Sequence, residues 1–126
     1  MKKTQIIYIE EKFDDVVGDG RIGRATFSKS GKTIYYRGQQ FQSLKGVGYK
    51  ANYFDVDTRD EYWISGPRRD GNDALYPMTI EIDDDARDEY WCGIRNRPDL
   101  KNKTSYRSTG KYSRRKPYPE LSAGGS

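Results

Sequence analysis

Residues 24–37 read RATFSKSGKTIYYR, and this stretch decides the fold. Apolar and polar side chains alternate on both sides of a short connection, residues 29–32, which contains Gly31. Alternation with a period of two is typical of a strand with one buried face, and a glycine-containing connection between two such runs predicts a β-hairpin.

Further short strand patterns flank this hairpin on both sides. They cover residues 6–9, 40–44, 49–56, 61–65 and 76–82, and residues 14–20 are predicted to be a loop because of their Asp and Gly content. Several short strands joined by short turns favour a barrel or sandwich over an α/β layout. We therefore predict a mainly β fold, a small antiparallel barrel of SH3-like or OB-like type.

One helix is predicted at about residues 84–96. Residues 83–85 are all Asp and are candidates for the N-cap, and Ala86, Tyr90 and Ile94 recur at a spacing of four residues. We expect this amphipathic helix to cover one open end of the barrel and to complete a domain of residues 1–98.

The basic charge is concentrated after the helix. The chain has 126 residues, a mean hydropathy of −1.06 and a formal charge of +4, of which residues 99–126 contribute +5 and residues 1–98 contribute −1. Leu100 and Leu121 are the only aliphatic side chains larger than Ala after residue 98. Such a segment buries too little to offset its chain entropy, so residues 99–126 are predicted to be a disordered basic tail.

The composition excludes several classes of function. The chain has no His and a single cysteine, Cys92, which removes the commonest general base and any multi-cysteine zinc site. Cys92 lies in the predicted helix and is expected to be a small packed side chain rather than a nucleophile. Helix capping by residues 83–85 needs fewer assumptions than Mg²⁺ binding there, so no metal, cofactor or catalytic group is predicted, and the protein is not expected to be an enzyme.

The sequence contains three motif-like matches, and the residues around each of them argue against a functional role. Residues 18–23 satisfy G-x-G-x-x-G, and residues 30–33 read SGKT, but both lead into strand patterns, whereas phosphate loops lead into a helix. The pentapeptide RDEYW occurs at residues 59–63 and 87–91, once in a strand pattern and once in the helix pattern. We interpret this repetition as a coincidence.

The remaining signal is aromatic side chains among cations. The chain has 11 Tyr, and the strand patterns contain adjacent aromatic pairs whose two rings must point to opposite faces. Exposed rings beside basic side chains can stack bases and neutralise phosphates of single-stranded nucleic acid. The predicted nucleic-acid-binding residues are Lys29, Lys32, Tyr35, Arg37, Tyr49, Lys50, Tyr53, Trp63, Arg68, Arg69, Arg114, Arg115 and Lys116.

Two alternatives stay open at this stage. The same aromatic face would suit a groove for another protein, as in an adaptor or inhibitor, because Tyr, Trp and Arg are common anchors of interfaces. The rings could also simply cover one another across strands. RNA or single-stranded DNA is the favoured partner, a protein is the alternative, and no membrane partner is expected, because no apolar run approaches the length of a span.

The pattern SKSGKTIYY (28–36), KANYFDV (50–56) and EYWISGP (61–67) resembles a group of small uncharacterised bacterial single-domain proteins. The likeness covers about residues 24–98 and does not include the tail. The resemblance implies a bacterial, cytosolic, single-domain protein and contributes no catalytic residue. The absence of a signal-peptide core near the start also gives a cytoplasmic expectation.

Overall fold

The computed structural model describes residues 3–13, 16–44, 51–74 and 76–110, without the side chains of residues 13 and 16–18. The described strands are β1 (Lys3–Phe13), β2 (Val16–Phe27), β3 (Thr33–Tyr36), β4 (Gln39–Ser43), β5 (Tyr53–Asp55), β6 (Glu61–Ser65), β7 (Met78–Ile82) and β8 (Ser105–Ser108). Helix α1 (Asp84–Asp88) continues into a π-helical segment, Glu89–Ile94, and a 3₁₀ turn covers Pro98–Leu100.

Strands β1 to β6 close into an antiparallel barrel. They follow one another around it in chain order, and the pairing of β6 with β1 closes the ring. This confirms the predicted mainly β fold with a small antiparallel barrel and one helix. The up-and-down strand order differs from the Greek-key order of an OB fold.

The barrel interior is filled by one apolar cluster. Ile7, Ile9 and Ala25 point inward from β1 and β2 and meet Ile34 and Phe41, and all five side chains are at most 5% exposed. Alternation along the pleated strands produces this arrangement, because every second side chain faces the interior. The predicted hairpin of β2 and β3 is confirmed by the pairing of these strands.

A second apolar cluster lies on the outer face of β1 and β2. Tyr8 and Ile22, partners in the β1–β2 register, pack with Tyr90 and Trp91 of the π-helical segment and with Tyr106 of β8. The helix therefore covers the side of the barrel, and the expectation that it closes an open end is wrong. β1 and β2 carry apolar side chains on both faces, so their outer face also needs a cover.

Order extends beyond the predicted boundary at residue 98. β8 pairs with β7, which in turn pairs parallel to β2, and Tyr106 is only 7% exposed. The Tyr106 hydroxyl donates a hydrogen bond of 2.6 Å to buried Asp73. The start of the predicted tail at residue 99 is therefore wrong, because Leu100, Tyr106 and Thr109 all contact residues far away in the sequence. Residues 111–126 lie outside the described part of the chain.

Two further local predictions need correction, and the predicted N-cap is confirmed in position. Residues 16–20 belong to β2 rather than to a loop, and Gly20 makes room there for the Tyr8 ring. Asp83 stands at the N-cap position without a capping side-chain hydrogen bond. Cys92 is exposed beside Asp88 rather than packed, whereas Tyr90 and Trp91, which precede it in the π-helical segment, are buried.

Candidate nucleic-acid interface

The β2–β3 turn projects two lysines from one end of the barrel. The Ser28 amide donates to the Thr33 carbonyl and the Gly31 amide donates to the Ser28 carbonyl, each at 2.9 Å, which fixes the turn. Gly31 has a φ of +80°, a left-handed conformation that glycine adopts without a side-chain clash. Lys29 and Lys32 are exposed on this fixed turn.

An open cavity of about 400 Å³ lies beside this turn. Lys3 reaches it from β1, where it is the register partner of Phe27, and Gln5 lies two residues further along the strand. The wall therefore combines an aromatic ring, an amide side chain and hydroxyl groups of the turn. We call this cavity with Lys3, Lys29 and Lys32 the lysine end.

The lysine end carries uncompensated positive charge. None of its three lysines forms an ion pair with another described residue, and the residues that line the cavity include no Asp or Glu. Flexible ammonium groups of this kind bind phosphates as point charges. Phe27 also lines the cavity, where it is half-buried because its ring packs against the interior apolar cluster.

The other predicted cations are placed elsewhere. Arg37 lies in the β3–β4 turn at the opposite end of the barrel, 3.6 Å from the Asp83 carboxylate. Arg68 and Arg69 are exposed on the segment after β6, and Arg68 forms a bidentate ion pair with Asp70. Of the predicted cations that the structure describes, Lys29 alone lines the cavity, and Lys32 is exposed on the same turn.

The predicted aromatic side chains do not share one surface either. Tyr53 packs with the barrel interior, whereas Trp63 packs with the outer cluster and donates a 3.2 Å hydrogen bond from Nε1 to Ser65. Tyr35 lies half-buried on the outer face of β3. The barrel is small and its strands are short, so neighbouring rings pack on both the inner and the outer face of the sheet.

The remaining predicted residues, Tyr49, Lys50, Arg114, Arg115 and Lys116, lie outside the described part of the chain. Sequence reasoning missed Lys3, Gln5 and Phe27. The strand register could have indicated these residues, because a β1–β2 hairpin of this length brings the start of β1 to the end of β2.

The opposite end of the barrel has a cavity with acidic side chains on its wall. A cavity of about 210 Å³ opens there between β1, β2 and the β3–β4 turn, and its wall includes Glu11 and Asp19. Burial, followed by repulsion from Asp60 and Asp19, raises the pKa of Glu11 above its ordinary value. We call this cavity the acidic mouth.

Comparison with known proteins finds no family model that matches the chain, and no match among curated proteins or solved structures. The resemblance to small bacterial proteins therefore stays a prediction. Within the described ranges, no helix is both long and apolar enough to span a bilayer. Among the same residues, no three or more Asp, Glu, Cys or His side chains converge as a metal site would require.

Proposed function

We propose that this protein is a non-catalytic module that binds RNA or single-stranded DNA at the lysine end of its barrel. The observation that carries the proposal is the open cavity beside Lys29 and Lys32, with Lys3 and the half-buried ring of Phe27 at the same place. Phosphates supply most of the affinity for nucleic acid, and stacking adds about 1–3 kcal/mol per base.

The geometry favours a single strand over a duplex. The cavity is small and lies at the end of the barrel, and the described residues there offer one ring and three cations rather than a long basic stripe. A flexible strand can turn one base toward Phe27 while its phosphates follow the lysines. Stacking of this kind tolerates any base, so we expect weak sequence preference.

The test is fluorescence anisotropy of a labelled oligouridylate over a series of salt concentrations. Lys29→Gln with Lys32→Gln should weaken binding, and the slope of log K against log salt should become shallower by about 0.7 per lost phosphate contact. The matched control is Lys101→Gln with Lys103→Gln, which removes the same charge from two exposed lysines outside the cavity.

Equal weakening in both variants would mean that only net charge matters and would contradict a site at the lysine end. Affinity that hardly responds to salt, together with a nuclease-resistant protein partner recovered from bacterial lysate, would instead support the alternative function, a protein-interaction module. A Phe27→Leu variant separates base stacking from simple anion binding, because only stacking requires the ring.

A further inference from the structure

Strand β8 has one edge that no described strand covers. β8 is the last strand in the order of the sheet, and β7 is its only strand partner among the described residues. The Ile82 amide donates to the Thr104 carbonyl at 2.8 Å, so residues 104, 106 and 108 direct their backbone groups toward β7. The amides and carbonyls of Ser105 and Arg107 therefore point away from β7. We call these four groups the β8 edge.

Two side-chain contacts mark the ends of the β8 edge. The Trp91 Nε1 group donates to the Lys103 carbonyl at 3.0 Å, and the Thr109 amide donates to the Asn72 side-chain carbonyl at 3.2 Å. Between these contacts, the four groups of the β8 edge form no hydrogen bond with any described residue. The edge therefore offers two donors and two acceptors to an added strand, which is how extended peptides bind at exposed sheet edges.

Positive side chains surround the β8 edge. Lys101, Lys103 and Arg107 are exposed, and none of them forms an ion pair with another described residue. On the opposite face of the strand, the Arg95 guanidinium carbon lies 5.2 Å from the centroid of the Tyr106 ring. Successive side chains of a strand point to opposite faces, so cations lie on both faces of β8.

Two described carboxylates in this region do not neutralise these cations. Asp99 accepts two hydrogen bonds from the Arg97 guanidinium, at 3.1 and 2.9 Å. Exposed Glu81 is the register partner of Ser105 on β7, so it lies on the side of β8 away from the β8 edge. The edge is therefore positively charged and fits an acidic segment. A second copy of this chain would bring the same cations to the edge, and their repulsion disfavours that occupant.

We infer that the β8 edge binds an extended acidic segment of a partner protein, which adds to the sheet as a strand beside β8. Backbone hydrogen bonds with Ser105 and Arg107 supply affinity, and Asp or Glu side chains of the segment pair with Lys103 and Arg107. Nucleic acid would be attracted by the same cations, but it has no peptide backbone to extend a β-ladder. The inference does not rest on the proposed function, because the lysine end consists of other residues.

The first experiment measures amide hydrogen exchange of the full chain by NMR, with and without the heptapeptide TEVEVET with blocked ends. Its Val residues favour an extended strand, and its Glu residues supply the negative charge. Saturating peptide should slow exchange at Ser105 and Arg107 several-fold, because these amides become hydrogen-bonded. Exchange at Tyr106, whose amide already faces β7, should change little. Unchanged exchange at Ser105 and Arg107 would overturn the inference.

The matched control peptide is TEPEPET, which has the same charge but lacks two of the backbone donors that a ladder requires. It should bind more weakly and leave the exchange of both amides unchanged. Equal protection by the two peptides would mean that charge attraction alone is at work, and the added strand would be wrong.

The second experiment alters the β8 edge itself. Ser105→Pro removes one outward amide without a change in charge, and a proline is compatible with an edge strand at a position whose amide does not join the ladder. Ser105→Ala keeps the amide and is the matched control. Ser105→Pro should lose most of the affinity for TEVEVET, whereas Ser105→Ala should retain it. Equal affinities of the two folded variants would contradict binding through the backbone.

A third variant, Lys103→Gln with Arg107→Gln, keeps every backbone group and decides the question if Ser105→Pro does not fold. It should bind TEVEVET several-fold more weakly than the unaltered protein in dilute salt, and the difference should shrink as salt is added. Affinity equal to that of the unaltered protein in dilute salt would overturn the role of these cations.

Two other occupants of the β8 edge would give different results. A dimer of the full chain in sedimentation equilibrium, dissociated by Ser105→Pro, would assign the edge to a second copy. Displacement of TEVEVET by a labelled oligouridylate, undiminished in the Lys29→Gln, Lys32→Gln variant, would assign the cations to nucleic acid. Either result would overturn the inference.

Discussion

Gly23 in the middle of β2 has no space for a side chain. A Cβ atom there would meet the Tyr36 ring and would lie 2.5 Å from the Asp83 carboxylate. The Tyr36 hydroxyl donates to that carboxylate, and the contact bridges β3 to the start of the helix at the point where β2 leaves β3 to pair with β7. A methyl group at position 23 would therefore push apart Tyr36 and Asp83, whose contact holds the barrel to its outer layer.

We expect Gly23→Ala to lower the free energy of unfolding by about 1–3 kcal/mol, the usual cost of overpacking. Urea denaturation monitored by tryptophan fluorescence measures the change. Gly66→Ala is the matched control, because a Cβ at Gly66 would have no atom within 4 Å. Equal stabilities of the two variants would show that the Tyr36–Asp83 contact can move aside.

The hydrogen bonds of Asp55 allow a prediction of how the stability of the fold changes in acid. Burial opposes its ionisation, but hydrogen bonds from Gln39 and from the amides of Asp57 and Thr58 outweigh burial and lower the pKa of Asp55 below its ordinary value of 3.8. The ionised carboxylate therefore stabilises the fold at pH values above about 3.8, and this contribution is lost as the pH falls through the lowered pKa.

Asp55→Asn should lower stability at pH 7 by about 1–3 kcal/mol, because an amide cannot accept from all three donors. The variant should also lose less stability than the unaltered protein between pH 5 and pH 3, since it has no proton to take up there. Urea unfolding at these pH values checks both effects. The same acid sensitivity in both proteins would place the responsible carboxylate elsewhere.

At the scale of elements, the repeated RDEYW shows what a sequence can and cannot predict. Residues 61–63 of the first copy lie in β6, and residues 87–91 of the second lie in the helical segment, as the flanking patterns indicated. Both tryptophans, Trp63 and Trp91, nevertheless pack with the same outer cluster. Periodicity identified the elements, but it could not predict which surface each element would cover.

The same reasoning explains the missed strand. Residues 105–108 read SYRS, which is too short and too polar to show a strand pattern, and its only large apolar side chain is Tyr106. That ring stacks on Tyr90 with centroids 5.4 Å apart, and Trp91 meets it edge-on. β8 thus depends on contacts with residues far away in the sequence, and no local signal could reveal them.

Tyr106→Ala should therefore destabilise the whole domain by about 3–5 kcal/mol, as expected for an aromatic side chain removed from a core. Arg107→Ala changes an exposed neighbour on the same strand and should be nearly neutral. Thermal unfolding of both variants measures the difference. Two neutral variants would mean that residues 105–108 behave as part of a tail, as the sequence alone suggested.

The two ends of the barrel differ in the charges that they carry. Lys3, Lys29 and Lys32 lie at one end, whereas the other end combines Glu11, Asp19 and the β5–β6 turn, residues 56–60, with Arg21 and Arg37. The up-and-down strand order produces this division, because alternate turns meet at the same end of the barrel. Composition revealed a nearly neutral domain and could not reveal where its charges lie, since that requires the register of the strands.

This separation predicts a salt-dependent influence of one end on the other. Glu61 is the register partner of Lys12, so residues 3–12 of β1 separate it from the lysine end by up to roughly 30 Å, at about 3.3 Å per residue. The Debye length is about 8 Å at 0.15 M salt and about 30 Å at 0.01 M. The acidic end should therefore repel a nucleic acid at the lysine end only in dilute salt.

Asp57→Asn with Glu61→Gln removes two exposed carboxylates at the acidic end. We expect this variant to bind a labelled oligouridylate several-fold more tightly than the unaltered protein at about 0.01 M salt, and equally tightly at about 0.15 M, where screening is nearly complete. Fluorescence anisotropy at both salt concentrations provides the comparison. A gain that persists at 0.15 M would mean that the strand touches the acidic end itself, and a lysine-end site could not explain it.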